Sequence, residues 1–158
     1  MVFGKLRGAM SAVTGGGAKV SIEYAASTVF PGDPVPVKVT VVSTRGEIKS
    51  NGVYVDLVAA EEGAANTTVV CKNCHQKSEE TAKFEKQTAN QSFPLAGAFV
   101  LQPNETRVFE GTIQVPGGMQ PSYAGPVARH QWQIRGRLDA FGNDPDSGFR
   151  SLRVGLRA

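Results

Sequence analysis

Between residues 128 and 140, apolar and polar positions alternate without a break. Ala128, His130, Trp132, Ile134, Gly136, Leu138 and Ala140 fall on one side, and Arg129, Gln131, Gln133, Arg135, Arg137 and Asp139 on the other. A period of two is what a β-strand with one dry and one wet face requires. A strand of about a dozen residues exceeds the usual five or six, so this one is expected to cross the full height of an antiparallel sheet as its central strand.

The same rule finds strands on both sides of it. Val20, Ile22 and Tyr24 alternate with Ser21 and Glu23, and Pro31-Gly32-Asp33 closes that strand with turn chemistry. Val35, Val37, Val39 and Val41 point one way against Pro36, Lys38 and Thr40. Pro36 lacks the N–H of a fully paired position, which predicts an edge or a strand start. After a connecting turn over 45–51, Val53, Val55, Leu57 and Ala59 alternate with Tyr54, Asp56 and Val58. Strands resume at Phe99, turn through 101–105, and place Phe109, Gly111, Ile113 and Val115 inward before Pro116-Gly117-Gly118. A loop over 143–146 precedes a last strand with Phe149, Leu152 and Val154.

Residues 61–92 differ in character, being rich in Lys, Glu, Gln, Asn, Ser and Thr, with Val69, Val70 and Phe84 as the main apolar anchors. They read as an overlong solvent-facing hairpin. A helix over 78–87 is the alternative, resting on Glu, Lys and Ala propensity, but too few apolar positions are present to bury a helical face. About eight strands separated by turns, without a long helix, define an all-β fold: a two-sheet antiparallel sandwich of immunoglobulin-like type. The Gly-rich residues 1–17 read as a flexible leader, and 18–158 as a single domain.

Composition narrows the classes of function. The chain has 158 residues, enough for one ordinary domain, and a net charge of +3. Its charges are scattered singly and form no basic run beside aromatics, so nucleic acid is not an expected partner. No apolar run approaches the roughly 18 residues of a membrane span, and the first residues lack the continuous apolar core of a secretory signal. The expected compartment is therefore the cytoplasm. In that compartment the Asn-x-Thr sequons at Asn66 and Asn104 carry no glycan.

Cys71-Lys72-Asn73-Cys74-His75 is the one catalogue motif. Its C-x-x-C-H pattern fits c-type haem attachment, which would need export. It also fits zinc, with Cys71, Cys74 and His75 as candidate ligands and a fourth still required, which a homodimer would supply. The bland alternative is two ordinary thiols in a surface hairpin, with no cofactor. No enzyme class finds its parts: the chain has two histidines, no Gly-x-Ser-x-Gly and no His-Glu-x-x-His. The pairs Glu61-Glu62 and Glu79-Glu80 read as solvated loop, with neighbours facing opposite ways. His130 and Trp132 share the dry face, as a hydrogen-bonded core histidine beside a packed indole. Arg129, Arg135 and Arg137 form a wet row, read either as solvated sheet or as a protein-docking face, since arginine is favoured at interfaces.

The ordered turn motifs resemble a known family. Ala18-Lys19-Val20 leading into Val29-Phe30-Pro31-Gly32-Asp33-Pro34-Val35, the strand Val53-Tyr54-Val55-Asp56-Leu57-Val58, and Phe99-Val100-Leu101-Gln102-Pro103-Asn104-Glu105 running on to Phe109 are similar to segments of the arrestin-like proteins. So is Pro121-Ser122-Tyr123-Ala124-Gly125-Pro126 leading into 132–139. Together these cover residues 18–139 and resemble the N-terminal sandwich domain of that family, with a flavour close to bacterial sporulation-control proteins. Asn104 stands where the family pattern has Gly, and Asn is the best non-Gly occupant of a left-handed turn. The resemblance implies a non-enzymatic adaptor or scaffold that binds other proteins, in trafficking, signalling or stress and sporulation-type regulation. Because the sequence stops after one sandwich, the two-domain groove of arrestins is not expected to carry over. Two rival readings remain open: a metal-binding or redox-sensing module built on the C-x-x-C-H segment, and a self-assembling structural protein. The latter would dimerise through strand edges or the 61–92 hairpin.

Overall fold

A computed structural model of the chain describes residues 17–25, 27–142 and 144–157. Within them every period-two segment becomes a strand, nine strands in all, and no helix forms. They are β1 (Ala18–Tyr24), β2 (Pro34–Ser43), β3 (Ile48–Val70), β4 (Lys77–Ala96), β5 (Phe99–Leu101), β6 (Thr106–Gln114), β7 (Tyr123–Ala124), β8 (Ala128–Ala140) and β9 (Arg150–Leu152). The expected leader over 1–17 lies outside the described residues except for Gly17, whose carbonyl accepts the Thr44 N–H at 2.6 Å.

Two antiparallel sheets face each other. The smaller runs β1-β2-β6, and the larger runs β4-β3-β8-β7, with β5 pairing β3 and β9 pairing β8. β8 is an inner strand, as its length demands, with β3 on one side and β7 and β9 on the other. β2 is also an inner strand, so the edge reading of Pro36 is corrected and the strand-start reading holds. Pairing with β1 begins only at Val37, which leaves Pro36 opposite Thr112 of β6 and facing no ladder on its β1 side. The turn expected over 45–51 is shorter than expected. β3 starts at Ile48, because β5 supplies ladder partners for residues 48–50.

β-branched and branched aliphatic side chains fill the space between the sheets, where the pleat suits them. Val39 and Val41 of β2, Val55 and Leu57 of β3, and Trp132, Ile134 and Leu138 of β8 are all buried. Fully burying each such side chain contributes about 1.5–3 kcal/mol. The sheets approach closely at Gly136, where a β-carbon would lie 3.0 Å from Val39 Cγ2. Asn104 takes φ of +59°, as its place in the turn before β6 requires.

The polar stretch 61–92 is strand on both sides of a hairpin, and the helix alternative over 78–87 does not form. β3 is 23 residues long and β4 is 20. Their pairing runs from Val53↔Ala96 out to Val70↔Lys77, while β8 follows β3 only as far as Gly63↔Ala128. Beyond Gly63, apart from the Ala64 N–H that donates to the Val127 carbonyl at 2.9 Å, the two strands continue as a bare ribbon, whose residues 64–70 and 77–83 are all exposed. At 3.3 Å per residue the ribbon projects about 23 Å from the sandwich.

Candidate functional site

On the outer face of the larger sheet, the β3–β8 register puts Asp56 directly opposite Arg135 and next to Arg137 across the ladder. The Asp56 carboxylate is 7% exposed and accepts from Arg135 Nε at 2.7 Å, Arg137 Nε at 2.9 Å and Ser92 Oγ at 2.6 Å. Asp146 and Asp144 take the far ends of the two guanidiniums at 3.3 and 3.4 Å. Each guanidinium also lies over a ring, Arg135 on Phe149 at 4.5 Å and Arg137 on Tyr54 at 4.9 Å. Phe149 thus lies ahead of β9 on an exposed surface, outside the last strand expected to hold it. Burial by itself would raise the Asp56 pKa. The hydrogen bonds from Arg137, Ser92 and Arg135, with the Arg137 charge, outweigh burial and hold it below the usual carboxylate value.

The wet arginine row is therefore divided. Arg135 and Arg137 are held in an ion cluster within the sheet, while Arg129 stands apart on an exposed pair with Glu62 at 2.6 Å. Glu61 and Glu62 lie in β3 and not in a loop, and as neighbours they face opposite ways. Glu62 meets Arg129, and Glu61 accepts the Tyr123 hydroxyl. That bond raises the Tyr123 pKa, with burial and the Glu61 charge adding to it.

On the inner face, His130 is buried and satisfied at both nitrogens. Nδ1 is 2.9 Å from the Pro121 carbonyl, which can only accept, so Nδ1 carries a proton; Nε2 is 2.6 Å from Thr88 Oγ1. Thr88 reaches it because β4 bulges there, Ala59 pairing with Ala89 and Ala60 with Gln87. Trp132 packs edge-on to His130 with centroids 5.9 Å apart and donates Nε1–H to the Gln120 carbonyl at 2.9 Å. The core reading of His130 and Trp132 holds, and together they fasten the loop that leads into β7.

The third locus is the arm. Its far end, Cys71-Lys72-Asn73-Cys74-His75-Gln76, is a tight turn. Cys71 N–H donates to the Gln76 carbonyl and His75 N–H to the Cys71 carbonyl, both at 2.9 Å, and His75 adopts φ of +60°. Cys74 N–H points at Cys71 Sγ, 3.3 Å away. Both thiols are free and exposed. The Cys71 pKa is lowered, first by the Cys74 thiol hydrogen bond and then by the N–H groups of Cys74 and Asn73. Cys71, Cys74 and His75 thus share one tip. Among the described residues, however, no group of three His, Cys, Asp or Glu side chains is placed to hold a metal ion.

The arm has two unlike faces. On the side continuous with the core lie Gly63, Ala65, Thr67 and Val69, cross-paired with Phe84, Ala82, Glu80 and Ser78. Phe84 covers Gly63 so closely that a β-carbon there would lie 2.0 Å from its ring. The other side carries Glu62, Asn66 and Thr68 against Glu85, Thr81 and Glu79. β4 is the terminal strand of the larger sheet, so its outer backbone edge pairs with no strand among the described residues. The sequence pattern missed Asp56, Ser92, Thr88 and Tyr123 as members of these clusters. Asp56 was visible only as a wet-face position, because its meeting with Arg135 depends on which strands pair and in what register.

No helix among the described residues is long and apolar enough to cross a membrane. The profile of the family described as SpoOM protein matches residues 6–140. Among solved structures, the chain is similar to Spo0M, a sporulation control protein from Bacillus subtilis. The TM-score is 0.58 and the identity 23%, over 90% of this chain and 51% of that one. The chain therefore spans about half the length of that structure, and the likeness is one of fold. No curated protein matches the chain.

Proposed function

The chain belongs to the SpoOM protein family, and from that premise we propose that it is a non-enzymatic adaptor or scaffold in sporulation-type regulation, binding other proteins through the β3–β4 arm and the open edge of β4. The observation that carries this reading is the ribbon beyond Gly63, where long, regular strand has been built with no core to bury. A two-stranded ribbon alone in water is marginally stable. A partner strand laid along β4 would add backbone hydrogen bonds, with the side chains of one face giving selectivity. The Lys and Glu residues along residues 77–86 guard that edge against indiscriminate pairing. The arrangement of the arginines supports placing recognition on the arm, since Arg135 and Arg137 are already committed to Asp56. Arg129, exposed and at the root of the arm, is the arginine best placed to take part.

The test compares the full chain with a variant in which residues 64–83 are replaced by Asn-Gly, joining Gly63 to Phe84 through a two-residue turn. Both are cross-linked in native extract. A specific protein recovered with the full chain and lost with the short one is the expected result. Recovery of the same protein by both, or of none by either, refutes the reading.

A further inference from the structure

The thiols of the arm tip contribute nothing to the sandwich. They lie about 23 Å beyond it, on a turn whose backbone is set by two hydrogen bonds and a left-handed residue at His75. Two cysteines separated by two residues at the end of a β-hairpin, with a backbone N–H aimed at the first sulfur, form half of the ligand set of a tetrahedral zinc–thiolate centre. Such a structural site is closed by four protein ligands. The same chain does not bring the rest: no third donor among the described residues is placed with the pair. His130 is buried in the sandwich with both nitrogens engaged. Residues 71–76 are all exposed, and no other described residue buries them against a second tip.

We propose that two copies of this chain join tip to tip through one zinc ion, held by Cys71 and Cys74 of each. Charge supports this occupant. Four thiolates around a divalent ion leave a net charge of about −2, and each copy brings Lys72, between its cysteines, and Lys77, at the mouth of the turn. The four ammonium groups would surround the centre. His75 is not a ligand in this arrangement, and its part is to turn the chain.

The test uses the purified full chain, reduced and stripped of metal, with zinc chloride as the probe and mass read by light scattering after size exclusion. Mass is expected to double as zinc reaches about one ion per two chains, and to halve again on adding a chelator. Cobalt(II) in place of zinc should give the intense absorption of a tetrahedral thiolate site at the same ratio. Cys71→Ser and Cys74→Ser should stay monomeric at every zinc concentration, and His75→Gly, which removes the imidazole while keeping the left-handed turn, should dimerise like the parent chain. The proposal is overturned by zinc binding at one ion per monomer, or by zinc binding without a change of mass. It is equally overturned by a dimer that survives Cys71→Ser, by loss of binding in His75→Gly, or by thiols that close into a disulfide and bind no metal. Because only the pure protein is used, these outcomes are independent of whether a partner for the arm exists.

Discussion

Replacing Asp56 with Ala removes the carboxylate that holds Arg135 and Arg137 to β3. Breaking a fully buried ion pair from one side costs about 3–5 kcal/mol. Here the two guanidiniums keep 28% and 19% of their side-chain surface and retain Asp146 and Asp144, so the penalty should fall to about 2–3 kcal/mol, including the lost Ser92 bond. Urea denaturation at neutral pH measures this as a shifted midpoint at unchanged slope. The pH dependence gives a second check. The folded-state pKa of Asp56 is depressed, so its contribution is fully present above the unfolded value of about 3.9 and is lost as pH falls through the lower folded one. The gap between parent and Asp56→Ala should therefore narrow below about pH 4. A cost under about 1 kcal/mol at neutral pH, or a gap that stays constant into acid, would refute the argument that a charge-assisted cluster fastens β3 to β8.

Other substitutions probe the rest of the fold. Trp132→Phe keeps an aromatic ring but orphans the Gln120 carbonyl, and should cost about 1–3 kcal/mol by urea denaturation. Gly136→Ala places a methyl 3.0 Å from Val39 Cγ2, where the sheets touch, and should cost about 1–3 kcal/mol with a lowered melting temperature. Asn104→Ala forces a β-carbon without a compensating amide into a φ of +59°, and should cost about 1 kcal/mol, while Asn104→Gly should be close to neutral in the same assay.

Strand positions were legible because a half-buried strand must alternate, and the burial of β8 does so from Arg129 to Asp139. The turn conformation of Asn104 was legible because so few residues tolerate it. Register and bulges were not. Asp56 meets Arg135 only because β3 and β8 are neighbours at one particular offset, and Thr88 reaches His130 only because β4 carries an extra residue there. Such facts belong to pairs of strands, and a period within one strand does not contain them. The arm was readable as a hairpin but not as a free one. Its polar text is what a solvated ribbon needs, yet the loss of the third strand at Gly63 is fixed by where β8 begins.

That free ribbon limits how the molecule can vary. Each rung added or deleted past Gly63 rolls the turn by half a revolution about the long axis, since successive rungs of a ladder face opposite ways. Relatives that keep Cys71 and Cys74 aimed at the same quarter can therefore differ in reach only by even numbers of rungs, while the sandwich beneath need not change at all.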